Sequence, residues 1–300
     1  MSSLLSAIDE FGQRAGTPQM QLREHIAKPK PAVLETVRPV PDCRTIFQRI
    51  AEGCVQVTRT NRDGAAAGDA EAIHVMRIEI TRLRAAALFF MSATNDDAWQ
   101  RIDRQLRWLN STLGRARDRD VAVDYANRKR YRHWAGHSRR SLLRSQDKAH
   151  RRLTKELGSA SYSRLTSELD QWISRGPSAG NSQAKPPDWV DTYCDKRLRE
   201  WRNEISRQGR NIRALRRKPL HQLRIQSKNY RYMVDSLLNL DIPISREDFS
   251  FCETAKRVHQ ALGDLRDLRQ LRKAVGRRPP HYRRRKRKLS QRVENLFRRL

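Results

Sequence analysis

The 300-residue sequence predicts an all-α protein, and three observations carry that expectation. From Cys43 onward, segments of about twenty residues with apolar positions three and four apart follow one another, the period of an amphipathic helix. Gly, Pro or Asn-Asp separates these segments, while the alternating β-branched runs that mark strands are scarce. A helical motif that begins at His74 returns at His221, so the helical texture is duplicated within the chain.

In chain order, residues 1–42 read as a flexible N-terminal extension, because Pro18, Pro29, Pro31, Pro39 and Pro41 interrupt any period beyond one short helix near Leu4 to Phe11. Residues 43–175 form the first helical bundle. Helical periodicity then stops in RGPSAGNSQAKPPD, Arg175 to Asp188, which sets a linker at 176–188. Residues 189–300 form the second bundle and end in a basic stretch, with Arg277, Arg278 and the unbroken run Arg283 to Lys288 before the final helix. That run reads equally as a solvated face or as a polyanion contact.

The duplication is specific in order and spacing. HVMRIEITRLR, His74 to Arg84, aligns without gaps on HQLRIQSKNYR, His221 to Arg231, at an offset of 147. Downstream, LGRARD, Leu113 to Asp118, matches LGDLRD, Leu262 to Asp267, at an offset of 149, where Arg107 also falls on Lys256. On a helix, positions 3, 7 and 10 after each histidine stand within about 80° of it and cover about 15 Å. His221, Arg224, Lys228 and Arg231 therefore make one basic stripe, and His74, Arg77 and Arg84 repeat it with Thr81 in the lysine slot. The Leu-Gly motif reads as a joint: Leu113 or Leu262 closes a helix, Gly114 or Gly263 turns left-handed, and Asp118 or Asp267 favours the next N-terminus. Arg117 and Arg266 either pair with carboxylates or face a ligand. For His74 and His221 two roles stay open, donor to an anion or buried structural histidine.

Charge sets the class of partner. Lys and Arg number 63 against 33 acidic residues, a net +30 in which arginine dominates, with +9 on residues 1–150 and +21 on 151–300. So large an excess repels itself in a compact state and calls for a polyanion: nucleic acid, an anionic membrane or a polymeric phosphate. The longest apolar run, Ala85 to Met91, falls far short of the roughly 20 residues of a membrane helix, and MSSLLSAIDEFG carries Asp9 and Glu10 where a secretory leader would be basic. Cys43, Cys54, Cys194 and Cys252 have no CxxC spacing, which argues for a reduced cytoplasmic setting without a disulfide framework or structural zinc. His74 and His221 each have Arg at i+3 and no second ligand at i+4. His133 and His137 have metal-like spacing, but Trp134 stands where a metalloprotease helix needs Glu. No P-loop, dinucleotide fingerprint or nucleophile elbow is present, so no catalysis, metal or cofactor is expected.

The stretches HVMRIEITRLRAAALFF and RWLNSTLGRARDRDV, then HQLRIQSKNYRYM and VHQALGDLRDLRQL, resemble the CHAD family, the conserved-histidine α-helical domain, over about Cys43 to Leu300. The resemblance implies two four-helix bundles related by a pseudo-twofold, a basic groove between them, and binding of inorganic polyphosphate, in some members on polyphosphate granules. It assigns the binding residues as His74, Arg77, Arg82, Arg84, Arg107 and Arg117 in the first half and His221, Arg224, Lys228, Arg231, Lys256 and Arg266 in the second. Thr81 and Asn229 depart from the family's basic residues, so unequal halves are expected. No strand-rich segment marks the triphosphate-tunnel domain that accompanies some members. The expectation is a non-enzymatic, cytoplasmic polyphosphate binder; the alternative is a basic helical protein that binds nucleic acid. Arginine suits either, since its planar, permanently charged fork donates paired hydrogen bonds to phosphate oxygens.

Overall fold

The structure, a computed structural model, describes residues 42–176, 190–210 and 217–298, Asn95 excepted. Apart from Asp42 and Gly176, the expected extension at 1–42 and linker at 176–188 lie outside the described residues. Among those residues there are twelve α-helices, one short 3-10 turn and no strand. In order they are α1 (Cys43–Thr60), α2 (Arg62–Ala66), α3 (Ala70–Phe89), α4 (Met91–Thr94), α5 (Asp97–Asn127), α6 (Lys129–Ala135), α7 (Arg139–Leu157) and α8 (Ala160–Arg175). After the linker come α9 (Val190–Arg210), α10 (Arg217–Leu238), α11 (Arg246–Val275) and α12 (Tyr282–Phe297).

Side-chain caps start several of these helices by accepting from orphan backbone N–H groups. Asp42 accepts from Thr45 N at 2.7 Å, Asp96 from Trp99 N at 2.6 Å and Ser245 from Asp248 N at 3.0 Å. Gly276, at φ +80°, closes α11 in the left-handed conformation that suits glycine.

In the first half α1 packs on α3, α3 on α5, and α5 on α7 and α8; in the second, α9 and α11 flank α10, and α12 lies on α11 and α9. The broadest contacts between the halves are α3 with α10 and α5 with α11. These four helices are the ones that carry the repeated motifs. Val40 to Leu300 is one compact unit, and its core runs through both halves. Phe89 of α3 meets Trp201 edge-on at 5.2 Å, and Tyr193 donates its hydroxyl to the Phe89 carbonyl at 2.7 Å. Within the second half, Arg202 donates to buried Asp248 at 2.9 Å, and Asp248 also accepts from the Tyr230 hydroxyl at 2.7 Å. Both bonds reach Oδ1, and the Ser245 hydroxyl donates to Oδ2 at 2.7 Å, so each carboxylate oxygen has a donor that offsets the desolvation of the charge.

Candidate anion-binding site

Contact between α3 and α10 brings the two basic stripes together. Lys228 lies within electrostatic reach of Arg77 and Arg84 from α3 as well as of Arg224 and Arg231 on its own helix. The Leu-Gly motifs meet these stripes in a way that corrects their reading as joints. Gly114 and Gly263 lie inside the continuous helices α5 and α11, and neither has a positive φ. Each is where the arginine of the partner motif rests: a Cβ on Gly114 would stand 3.5 Å from the Arg77 guanidinium carbon, and one on Gly263 3.8 Å from Arg224 Nε. Glycine keeps the helix surface low so that the guanidinium lies along it. Asp118 and Asp267 likewise sit within these helices and cap nothing.

Asp118 has another role. Arg266 Nη2 donates to both of its carboxylate oxygens, at 2.6 and 2.7 Å, Gln270 adds a third hydrogen bond at 3.1 Å, and Arg266 Nη1 donates to Asp267 at 3.2 Å. Arg266 therefore pairs across the two halves. Its equivalent Arg117 donates instead to the Ala70 carbonyl at 3.2 Å. On α3, Arg82 Nη1 donates to both carboxylate oxygens of buried Glu79, at 2.8 and 2.9 Å, and Arg84 Nε donates to Asp103 at 2.5 Å. Arg107 shares that same Asp103, its Nε at 2.8 Å. Arg231 has Asp235 no nearer than 3.9 Å, and Lys256 has Glu253 at 3.6 Å.

A buried aromatic ring lies at the centre. Tyr232, 4% exposed, carries Arg231 at 4.9 Å, Arg82 at 5.7 Å and Lys228 at 5.8 Å from its ring centroid, a cation–π arrangement that gathers charges from both stripes. Around it eight cationic side chains (Arg77, Arg82, Arg84, Arg117, Arg224, Lys228, Arg231, Arg266) face five carboxylates (Glu79, Asp103, Asp118, Asp235, Asp267). Positive charge is in excess. The Nε atoms of Arg77, Arg82, Arg224 and Arg231 and Nε2 of His259 are buried without a hydrogen-bond partner in the protein.

The excess shows in the titration of its members. Burial, with the charges of Arg117, Arg77 and Arg231, pushes His74 down to about 4. Burial and the arginines around it push Lys228 down to about 7. Burial and then Arg224, Arg231 and Lys228 hold His259 well below the usual histidine range. Desolvation also works against the charged forms of Arg77 and Arg224. All these groups lose solvation and gain little compensating negative charge.

Of the residues expected from sequence, Arg77, Arg82, Arg84, Arg117, Arg224, Lys228, Arg231 and Arg266 join this cluster, with His74 beside Arg77 and Arg117. Arg107 and Lys256 lie outward, their side chains 65% and 55% exposed, and His221 is exposed whereas His74 is half-buried. Tyr232, His259 and Asp103 were not foreseen. His259 was legible in principle, because the offset of 149 that pairs the Leu-Gly motifs places it opposite Asn110. Among the described residues no group of His, Cys, Asp and Glu is arranged to hold a metal, and no helix is long and apolar enough to cross a membrane.

Known proteins share this fold. The structure is similar to the crystal structure of the CHAD domain from the plant Ricinus communis, with a TM-score of 0.69 and 17% identity over 91% of this chain and 97% of that one. It is also similar to PptA from Streptomyces chartreusis, with a TM-score of 0.56 and 15% identity over 86% and 94% of the two chains. No curated protein matches in sequence. At these identities the likeness is one of fold, but the CHAD domain model itself matches residues 49–299, and the chain belongs to the CHAD domain family.

Proposed function

We propose that this protein binds inorganic polyphosphate without transforming it, laying the chain along the basic face where α3 and α5 meet α10 and α11. The observation that carries the proposal is the set of buried, unpartnered arginine Nε atoms within a cluster of excess positive charge. Buried donors normally find acceptors, and a chain of phosphates brings closely spaced anionic oxygens without needing any group that reads bases. Membership of a family of polyphosphate-binding domains supports the same reading. In this reading the two halves are bundles related by a pseudo-twofold, the repeated His-x-x-Arg helices line the groove between them, and the protein resides in the cytoplasm on polyphosphate granules. Glu79, Asp103, Asp118 and Asp267 already accept hydrogen bonds from arginines, which sets them against holding the Mg²⁺ that phosphoryl transfer uses.

Nucleic acid would engage the same charge but adds bases that single-strand binders stack on aromatic rings. Trp99 and Trp172 are instead buried against each other at 4.9 Å, and Tyr232 is covered by cations. A titration with labelled long-chain polyphosphate, with double-stranded DNA as competitor at equal phosphate concentration, tests the proposal. Salt-sensitive binding that DNA displaces poorly is expected. Equal competition would favour a nucleic-acid partner, and phosphate release on addition of Mg²⁺ would overturn the non-enzymatic reading.

A further inference from the structure

The repeat is unequal at one place where the sequence alignment and the structure can be overlaid. The offset of 147 puts Lys228 at the position of Thr81, and the offset of 149 puts His259 at that of Asn110. In the first half this pair closes on itself: Asn110 Nδ2 donates to Thr81 Oγ1 at 3.3 Å. In the second half the same two positions hold an amine and an imidazole, which repel each other whenever both are charged. The charges that act most strongly on both are cationic. His259 faces Arg224, Lys228 and Arg231, its Nε2 is buried without a partner, and so are the Nε atoms of Arg224 and Arg231. The carboxylate that binds Arg84 in the first half, Asp103, is replaced at the equivalent position by Cys252.

We propose that Arg224, Lys228, Arg231 and His259 form a subsite for one phosphoryl group, absent from the first half, which receives the end of a linear polyphosphate chain. The inference rests on the polyphosphate reading above and makes it directional. An internal phosphate of the chain offers two free oxygens and one charge. A terminal phosphoryl offers three oxygens and, as in a phosphate monoester, a second ionisation near pH 6. Four donor groups on adjoining faces of α10 and α11, mostly desolvated, suit a group with three anionic oxygens and up to two negative charges better than one with two oxygens and one charge.

The test is competition against labelled long-chain polyphosphate by linear triphosphate, cyclic trimetaphosphate, which has no end, and orthophosphate. The protein is the full chain, either unaltered or carrying Lys228→Thr and His259→Asn. These substitutions install the pair that the first half already uses, and His259→Asn alone is a milder second variant; thermal unfolding reports that each folds. In the unaltered protein linear triphosphate is expected to compete at least about tenfold better than trimetaphosphate, as one to two charge-assisted hydrogen bonds would give. Most of that preference should vanish in the double variant, while long-chain affinity falls only a few-fold. An unchanged preference, or orthophosphate competing as well as linear triphosphate, would overturn the chain-end assignment while leaving polyphosphate binding intact. Failure of the unaltered protein to bind the long chain would overturn both.

Discussion

On α3 the basic stripe is braced by its own carboxylates, Arg82 by Glu79 and Arg84 by Asp103, whereas on α10 Arg231 has only Asp235 at 3.9 Å and lies over Tyr232. The first-half histidine is half-buried and the second is exposed. Thr81 and Asn110 bond each other in one half while Lys228 and His259 face three or more cations in the other. Duplication thus kept cations at Arg77 and Arg224 and at Arg84 and Arg231, but neutralised the second pair unequally. An arginine braced by a carboxylate holds helices together; one left unbraced is ready for an anion, and Arg77 in the first half has as bare an Nε as Arg224 in the second. Arg266 links the two by reaching from α11 to Asp118 of α5.

The strongest way to break this comparison is to remove the stripes. Replacing Arg77, Arg84, Arg224 and Arg231 together by Gln should weaken polyphosphate binding more than about a hundredfold at low salt and flatten the slope of log affinity against log salt by about 3, with helicity by circular dichroism unchanged. Taken singly, Arg231→Gln should cost about tenfold and Arg84→Gln only two- to threefold, since Asp103 already occupies Arg84. Equal losses would show that the bracing does not matter.

Asp103→Asn sharpens the comparison from the other side. By releasing Arg84 and Arg107 it should make the first half resemble the second, tightening polyphosphate binding several-fold while lowering stability by about 1–2 kcal/mol, read from denaturant unfolding. Gly114 gives a smaller, graded effect. Gly114→Ala fits, because its Cβ would sit 3.5 Å from the Arg77 guanidinium, and the helix gains up to about 1 kcal/mol in propensity. Gly114→Leu should displace the guanidinium and weaken binding a few-fold.

The smallest expected effect is on stability against pH. His74 titrates at about 4 in the folded protein and near 6.5 when unfolded, so between these values the unfolded chain holds a proton that the folded chain does not. The His74 contribution to stability should therefore fall as pH drops from about 6.5 to about 4 and level off below. His74→Gln should flatten that part of the unfolding curve, and an unchanged curve would place His74 in a different environment.

Much of this was readable from residue spacing. Apolar periodicity located the helices, and the His-x-x-Arg and Leu-Gly repeats lie on the four helices that join the halves. Gly114 and Gly263 were misread because glycine weakens an isolated helix by about 1 kcal/mol and so resembles a terminus. Inside α5 and α11, packing of the neighbouring helix over the bare backbone outweighs that loss. Tyr232 looked like one more residue beside Arg231 in a helix, and nothing local marks it as the ring on which three cations converge.

By itself, the sequence determined the all-helical class, the duplication, the excess of positive charge and the helix faces on which it lies, because each follows from order and spacing within a helix. Tertiary structure decided which of those charges are neutralised. Arg266 finds Asp118 across 148 residues, while the charges nearest Lys228 and His259 are other cations. Pairing and desolvation depend on distances between helices, and a few ångströms there separate a structural ion pair from a site that attracts phosphate.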